Sequence, residues 1–141
     1  MLTKNISDMI YSIKFSKPFQ VSLAYIINQD IELGKKIFNQ LKDRLPYDPY
    51  PEIDDEQDLF RSVIVRSLEK RGMEVYRLKS RDFHNYRVFY IVDDDEYKIY
   101  VLEVVPRSAK TYIIATPHMK TIKDLYIQYY TYKQRKRRNN E

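Results

Sequence analysis

The stretch that decides the fold runs from Tyr76 to Tyr112, YRLKSRDFHNYRVFYIVDDDEYKIYVLEVVPRSAKTY. Aromatic and β-branched residues fill EVYRLKS, YRVFYIVDD and YKIYVLEVV, and polar turns separate them, the second being Asp93-Asp94-Asp95-Glu96. That pattern predicts consecutive strands of an antiparallel meander. Side chains two apart on a strand share a face, so Arg77, Lys79 and Arg81 point the same way if the first strand reaches that far. Arg87 shares parity with Phe89 and Ile91, and Val101, Glu103 and Val105 lead to Arg107, so both arginines fall near strand ends. Tyr112 is placed to close a groove there. Thr111–Ala115 reads as one further strand.

Toward the amino terminus, Tyr11–Phe15 alternates like a short strand that ends at Lys17-Pro18. Phe19, Leu23, Ile26 and Ile27, then Ile31, Leu33, Ile37, Phe38, Leu41 and Leu45, fall at helical spacing and predict two helices joined by Asn28-Gln29-Asp30. Pro46, Pro49 and Pro51 forbid helix through the next segment. Asp54 and Gln57 then read as a helix cap, with Leu59, Phe60, Val63, Ile64 and Leu68 as an apolar stripe ending at Gly72. At the other end, Thr116-Pro117 opens a last helix, with Ile122, Leu125, Tyr126, Tyr129 and Tyr130 on one side and KQRKRR at its close.

The predicted class is α+β: an antiparallel sheet of four to five strands, two amino-terminal helices on one face, an inserted third helix and a carboxy-terminal helix. The other face of the sheet is expected to be open. A chain of 141 residues with 43% hydrophobic and 32% charged residues suits one domain over 1–141, with a proline-rich insertion at about 46–72 and a basic helix and tail at about 117–141.

Composition excludes several chemistries. There is no cysteine, so disulfides, thiolate zinc sites and a cysteine nucleophile are out. Gly34 and Gly72 are the only glycines, too few for a glycine-loop nucleotide site or a G-x-S-x-G elbow. With only His84 and His118, each read as a turn or first-turn residue, no metal or other cofactor is expected. No apolar run reaches bilayer length and the amino terminus lacks a signal-peptide pattern, so the expectation is a cytoplasmic protein with no membrane partner.

The net charge of +5 sits unevenly. His118–Glu141 holds seven Lys and Arg against two acids, and the first 117 residues balance at 18 of each sign. Within them the acids bunch at Glu52–Asp58 and Asp93–Glu96, leaving Arg61–Arg87 cationic. An anionic partner follows from that segregation. Phe89 and Tyr90 read as packing residues, and the tyrosines of the last helix as a packed face.

The ordered series within Tyr76–Tyr112 resembles the carboxy-terminal sheet of the RelE/ParE toxin superfamily: basic-apolar-basic, Tyr-Arg-apolar-apolar-Tyr, an acidic turn, an apolar strand, then Arg followed by Tyr. The resemblance implies a ribosome-dependent endoribonuclease that cuts mRNA, with mRNA, the ribosome and an antitoxin protein as partners. By position it implies Lys79, Arg87, Arg107 and Tyr112 as catalytic residues. Attack of a ribose 2′-hydroxyl on its phosphodiester needs proton removal, charge balance on the phosphorane and a protonated leaving oxygen. Lys79, crowded by Arg77 and Arg81, suits the base or its electrostatic substitute, Arg87 the nonbridging oxygens, Arg107 the leaving side, and Tyr112 the nucleotide. Arg77, Arg81 and Lys110, with Arg135, Lys136, Arg137 and Arg138 of the tail, are expected to contact RNA phosphates. The alternative on the same scaffold is a noncatalytic nucleic-acid-binding protein or a ParE-like inhibitor of gyrase. Oligomeric state is not encoded in these patterns.

Overall fold

The computed structural model describes residues 10–108 and 116–139. In chain order it contains β1 (Ser12–Phe15), α1 (Lys17–Gln29), α2 (Ile31–Arg44), a 3₁₀ turn (Leu45–Tyr47), β2 (Glu52–Asp54), β3 (Leu59–Ile64), a single turn α3 (Arg66–Glu69), β4 (Tyr76–Ser80), a second 3₁₀ turn (Arg81–Phe83), β5 (Tyr86–Asp93), β6 (Lys98–Pro106) and α4 (Pro117–Asn139). The six strands form one sheet in the order β1-β6-β5-β4-β3-β2. Every pairing is antiparallel except β1 with β6, which is parallel and joins Ser12–Phe15 to Lys98–Val101.

The two amino-terminal helices begin at polar caps. Ser16 Oγ accepts from Phe19 N at 3.0 Å and donates to Leu102 O at 2.6 Å, so one hydroxyl both starts α1 and ties it to β6. Asp30 caps α2 by accepting from Leu33 N at 3.1 Å. At Gly34 the helices touch: a Cβ there would lie 2.3 Å from Ile27 Cγ1, so only glycine permits this approach. Phe19, Leu23, Ile37 and Leu41 then pack on Phe60, Leu78, Val88, Tyr90, Ile99 and Val101 of the sheet.

The opposite face is also covered, contrary to the expectation of helices on one side alone. Met119, Ile122 and Leu125 of α4 pack on Phe89, Ile91, Leu102 and Val105. β6 carries a bulge: Phe89 pairs with Glu103 and Tyr90 with Val101, leaving Leu102 as the extra residue. Beyond it the side-chain alternation is reset. Phe89 and Tyr90 are both fully buried, as packing residues.

The sheet has more strands than the sequence suggests because the segment read as a third helix is mostly a hairpin. Asp55 Oδ1 accepts from Gln57 N at 2.9 Å and Asp58 N at 2.6 Å, making a tight turn between β2 and β3 rather than a helix cap. Only Arg66–Glu69 is helical, closed by Gly72 at φ +79°. Thr111–Ala115, expected as a strand, lies outside the described residues. No described helix is long and apolar enough to cross a membrane.

Candidate nucleic-acid interface

Arg77 and Lys79 lie on β4 with their side chains on the α4-facing side of the sheet, alternating with Tyr76, Leu78 and Ser80 on the other. Arg77 is half-buried and Lys79 exposed. Antiparallel pairing sets Arg77 opposite Phe89 of β5, and Phe89 shares parity with Arg87, so Arg87 stands on the same face toward the end where Lys79 lies. On β6, Val105 is opposite Arg87, and Arg107 follows two residues later, exposed, its N–H donating to Asn85 O. Arg77, Lys79 and Arg87 therefore share one sheet face, and Arg107 follows the end of β6 next to the Arg87 end of it.

They are not equivalent. Arg87 is only 6% exposed, and its Nη1 donates to the carbonyls of Tyr86 at 2.9 Å and His84 at 3.2 Å. His84 carries φ 53° and ψ −123°, a strained conformation for a residue with a Cβ. Arg87 thus pins the strained β4–β5 connection from beneath, where the sequence had suggested a direct phosphate contact. Arg81 leaves the Arg77–Lys79 row altogether, because β4 ends at Ser80, whose Oγ accepts from Asp82 N and starts the 3₁₀ turn. Arg81 lies instead near Asp58, whose carboxyl is held below its usual range by the two hydrogen bonds from Arg44 and, more weakly, by the charge of Arg81. Lys110 and Tyr112 fall outside the described residues.

The tail cations form a separate group. Arg135, Lys136, Arg137 and Arg138 are exposed on the last turns of α4, and Arg137 pairs with Asp95 at 3.4 Å. Asp95 follows the end of β5 opposite to the one at which Arg87 sits, about 20 Å along the strand. The tail and the strand cations do not converge.

Two features of the region escaped the sequence reading. Arg61 on β3 stands directly opposite Lys79, and Arg66 on α3 lies beside Arg77 along a trough of about 850 Å³. Their signal, β-branched alternation around Arg61, was masked by the helix-like spacing of the same apolar residues. The second is a buried clasp. Lys133 Nζ reaches Asp93 Oδ1 at 2.8 Å, with 9% and 2% of the two side chains exposed, and Tyr129 OH donates to Asp93 Oδ2 at 2.8 Å. Burial alone would raise the Asp93 pKa, but the bonds from Lys133 and Tyr129 outweigh it and hold the carboxyl below its usual range. Burial likewise opposes the charge on Lys133, yet its contacts with Asp93 and Asp95 raise its pKa overall.

Neighbouring Asp94 serves the opposite face, where it accepts from Tyr11 OH at 2.6 Å and Tyr50 OH at 2.7 Å. The Tyr11 phenol is pushed up to about 12, first by that hydrogen bond. Among the described residues, no cluster of three or more His, Asp or Glu could hold a metal ion.

Several solved structures are similar to this chain, among them the following. The toxin–antitoxin complex RelBE2 from Mycobacterium tuberculosis matches at 14% identity over 70% of this chain and 99% of that one, with a TM-score of 0.44. The archaeal RelE–RelB complex from Pyrococcus horikoshii OT3 matches at 18% identity over 72% and 99%, with a TM-score of 0.41. A mutant of the E. coli toxin RelE in the free state matches at 16% identity over 74% and 90%, also at 0.41. No protein-family model matches the chain, and no curated protein does.

Proposed function

We propose that this chain is a RelE-like toxin, a ribosome-dependent endoribonuclease that cleaves mRNA and is held in check by an antitoxin protein. The observation that carries the reading is the register that sets Arg77 and Lys79 of β4 on the face of Arg87 of β5, with Arg107 just past the paired end of β6. In the proposed reaction the ribose 2′-hydroxyl loses its proton to solvent as its oxygen attacks the adjacent phosphorus, the bond to the 5′-oxygen breaks, and that oxygen takes a proton from solvent, giving a 2′,3′-cyclic phosphate and a 5′-hydroxyl end. Lys79, exposed at the end of β4, supplies positive charge at the attacking oxygen and the phosphorane. Arg77 holds a nonbridging oxygen, and Arg107 stands on the leaving-group side. Arg87 is a positioning residue that fixes the turn beside them. Tyr112 and Lys110 are proposed, from the sequence resemblance, to complete the site from the segment after Arg107.

Primer extension on mRNA in a translating extract tests this. Cuts within codons that disappear in Lys79→Ala and Arg77→Ala support it, and intact mRNA with wild-type protein overturns it. The engagement of Arg87 with main-chain carbonyls favours a second reading, a nucleic-acid-binding protein that keeps the cationic face without cleavage. That reading expects RNA binding with no cuts in the same assay.

A further inference from the structure

We propose that the β2–β3 hairpin and α3 extend the RNA path: Arg61 and Arg66 contact backbone phosphates next to those held by Arg77 and Lys79. The inference rests on the reading of the Arg77–Lys79 face as an RNA site. Pairing puts Arg61 directly across from Lys79 and Val63 across from Arg77, so three cations occupy adjacent positions on one face. Like charges directly opposite on a sheet destabilise it, and an anion laid over them removes that cost. Arg61 has two acidic neighbours on its outer side, Glu52 opposite it on β2 and Asp54 at 3.7 Å across an exposed gap, whereas among the described residues neither Lys79 nor Arg66 makes an ion pair.

The rim gives the path a direction. Glu52 pairs with Arg61 from β2 and, with Asp54, lines the outer wall of the trough, so a polyanion is turned away from the sheet edge. Its favourable course runs along β3 and β4 toward Arg66. No aromatic side chain lines this trough, and none of the exposed large apolar residues lies in it. Bases have nothing to stack on, and the apolar residues that line it, Val63, Ile64 and Val65, are at most partly exposed, whereas a phosphate backbone needs only the cations. The contact is therefore independent of base sequence.

Fluorescence anisotropy of the whole chain with labelled, unstructured single-stranded RNA, read across a salt series, tests the proposal. Loss of two phosphate contacts in Arg61→Ala/Arg66→Ala is expected to flatten the slope of log affinity against log salt by about 1.4 and weaken binding on the order of tenfold at low salt. The loss is the same for oligonucleotides of different sequence, and Arg61→Lys with Arg66→Lys restores most of the slope. If Arg77→Ala/Lys79→Ala weakens binding while Arg61→Ala/Arg66→Ala does not, the extension is wrong and the site reading stands. If the wild-type chain binds no RNA, the extension falls, and primer extension in a translating extract decides the cleavage reading separately. Preference for poly-glutamate over RNA overturns the extension in favour of an acidic protein partner.

Discussion

The α4-facing side of the sheet is used in two ways. Over β5 and β6 it is sealed: α4 lies on Phe89, Ile91, Leu102 and Val105, and Lys133, drawn inside with them, is matched by Asp93. Over β3 and β4 the same side is open: Arg61, Arg66 and Lys79 are exposed, Arg77 is half-buried, and Glu52 and Asp54 line the outer rim. A charge in the first half is part of the fold, and a charge in the second is available to a ligand. The difference follows from burial, since a buried ion must be paired whereas an exposed one gains little from a partner.

The largest expected effect comes from breaking the sealed half. Lys133→Met leaves Asp93 buried without its counter-ion and should cost about 3 kcal/mol in urea unfolding. Replacing Asp93 as well, in an Asp93→Asn/Lys133→Met pair, should recover part of that loss. In the open half the expectation is reversed: Lys79→Ala should lower mRNA cleavage on the order of a hundredfold while leaving the unfolding midpoint unchanged.

A pH series sharpens the contrast. The Asp93 pKa is lowered on folding, so the stabilisation from its contacts is present above the ordinary carboxylate range of about 4 and disappears as pH falls through the lowered folded value. The raised Lys133 pKa gives the matching limit on the alkaline side: its contribution is complete below about 10.4 and is lost as pH rises through the folded value. The wild type should therefore lose stability in acid more steeply than Lys133→Met. The smallest effect concerns Glu103, buried beside the bulge and pushed up by that burial, with Oε1 accepting from Val104 N at 3.0 Å. Glu103→Gln keeps an acceptor without the buried charge. It should raise the melting temperature slightly at neutral pH, and the gain should vanish in acid, where the wild-type carboxyl is already protonated.

The meander β4–β6 was legible because alternation and turn chemistry agreed along it, and α1 and α2 because their apolar spacing was long and capped. The hairpin β2–β3 was not. Leu59, Phe60, Val63 and Ile64 fit a helical stripe, and a short apolar run carries too little length to decide between periods. What decided it was β4, which offers Tyr76–Ser80 as a ladder for Phe60–Ile64. Within the candidate site, the shared face of Arg77 and Lys79 followed from parity. The burial of Arg87 did not, since it depends on the carbonyl directions of a turn with a positive φ. Lys133 was equally hidden: inside a basic run it reads as a solvated charge, and its counter-ion lies forty positions earlier.

The parallel pairing of Ser12–Phe15 with Lys98–Val101 has a consequence for biosynthesis. Among the described residues β1 has no strand to pair with until β6 has emerged from the translating machinery, and until then α1 has no carbonyl at Leu102 to hold. Contacts so distant in sequence form slowly. A nascent chain of this protein thus carries α1 and α2 without their β6 anchor until Lys98–Leu102 is available to receive them.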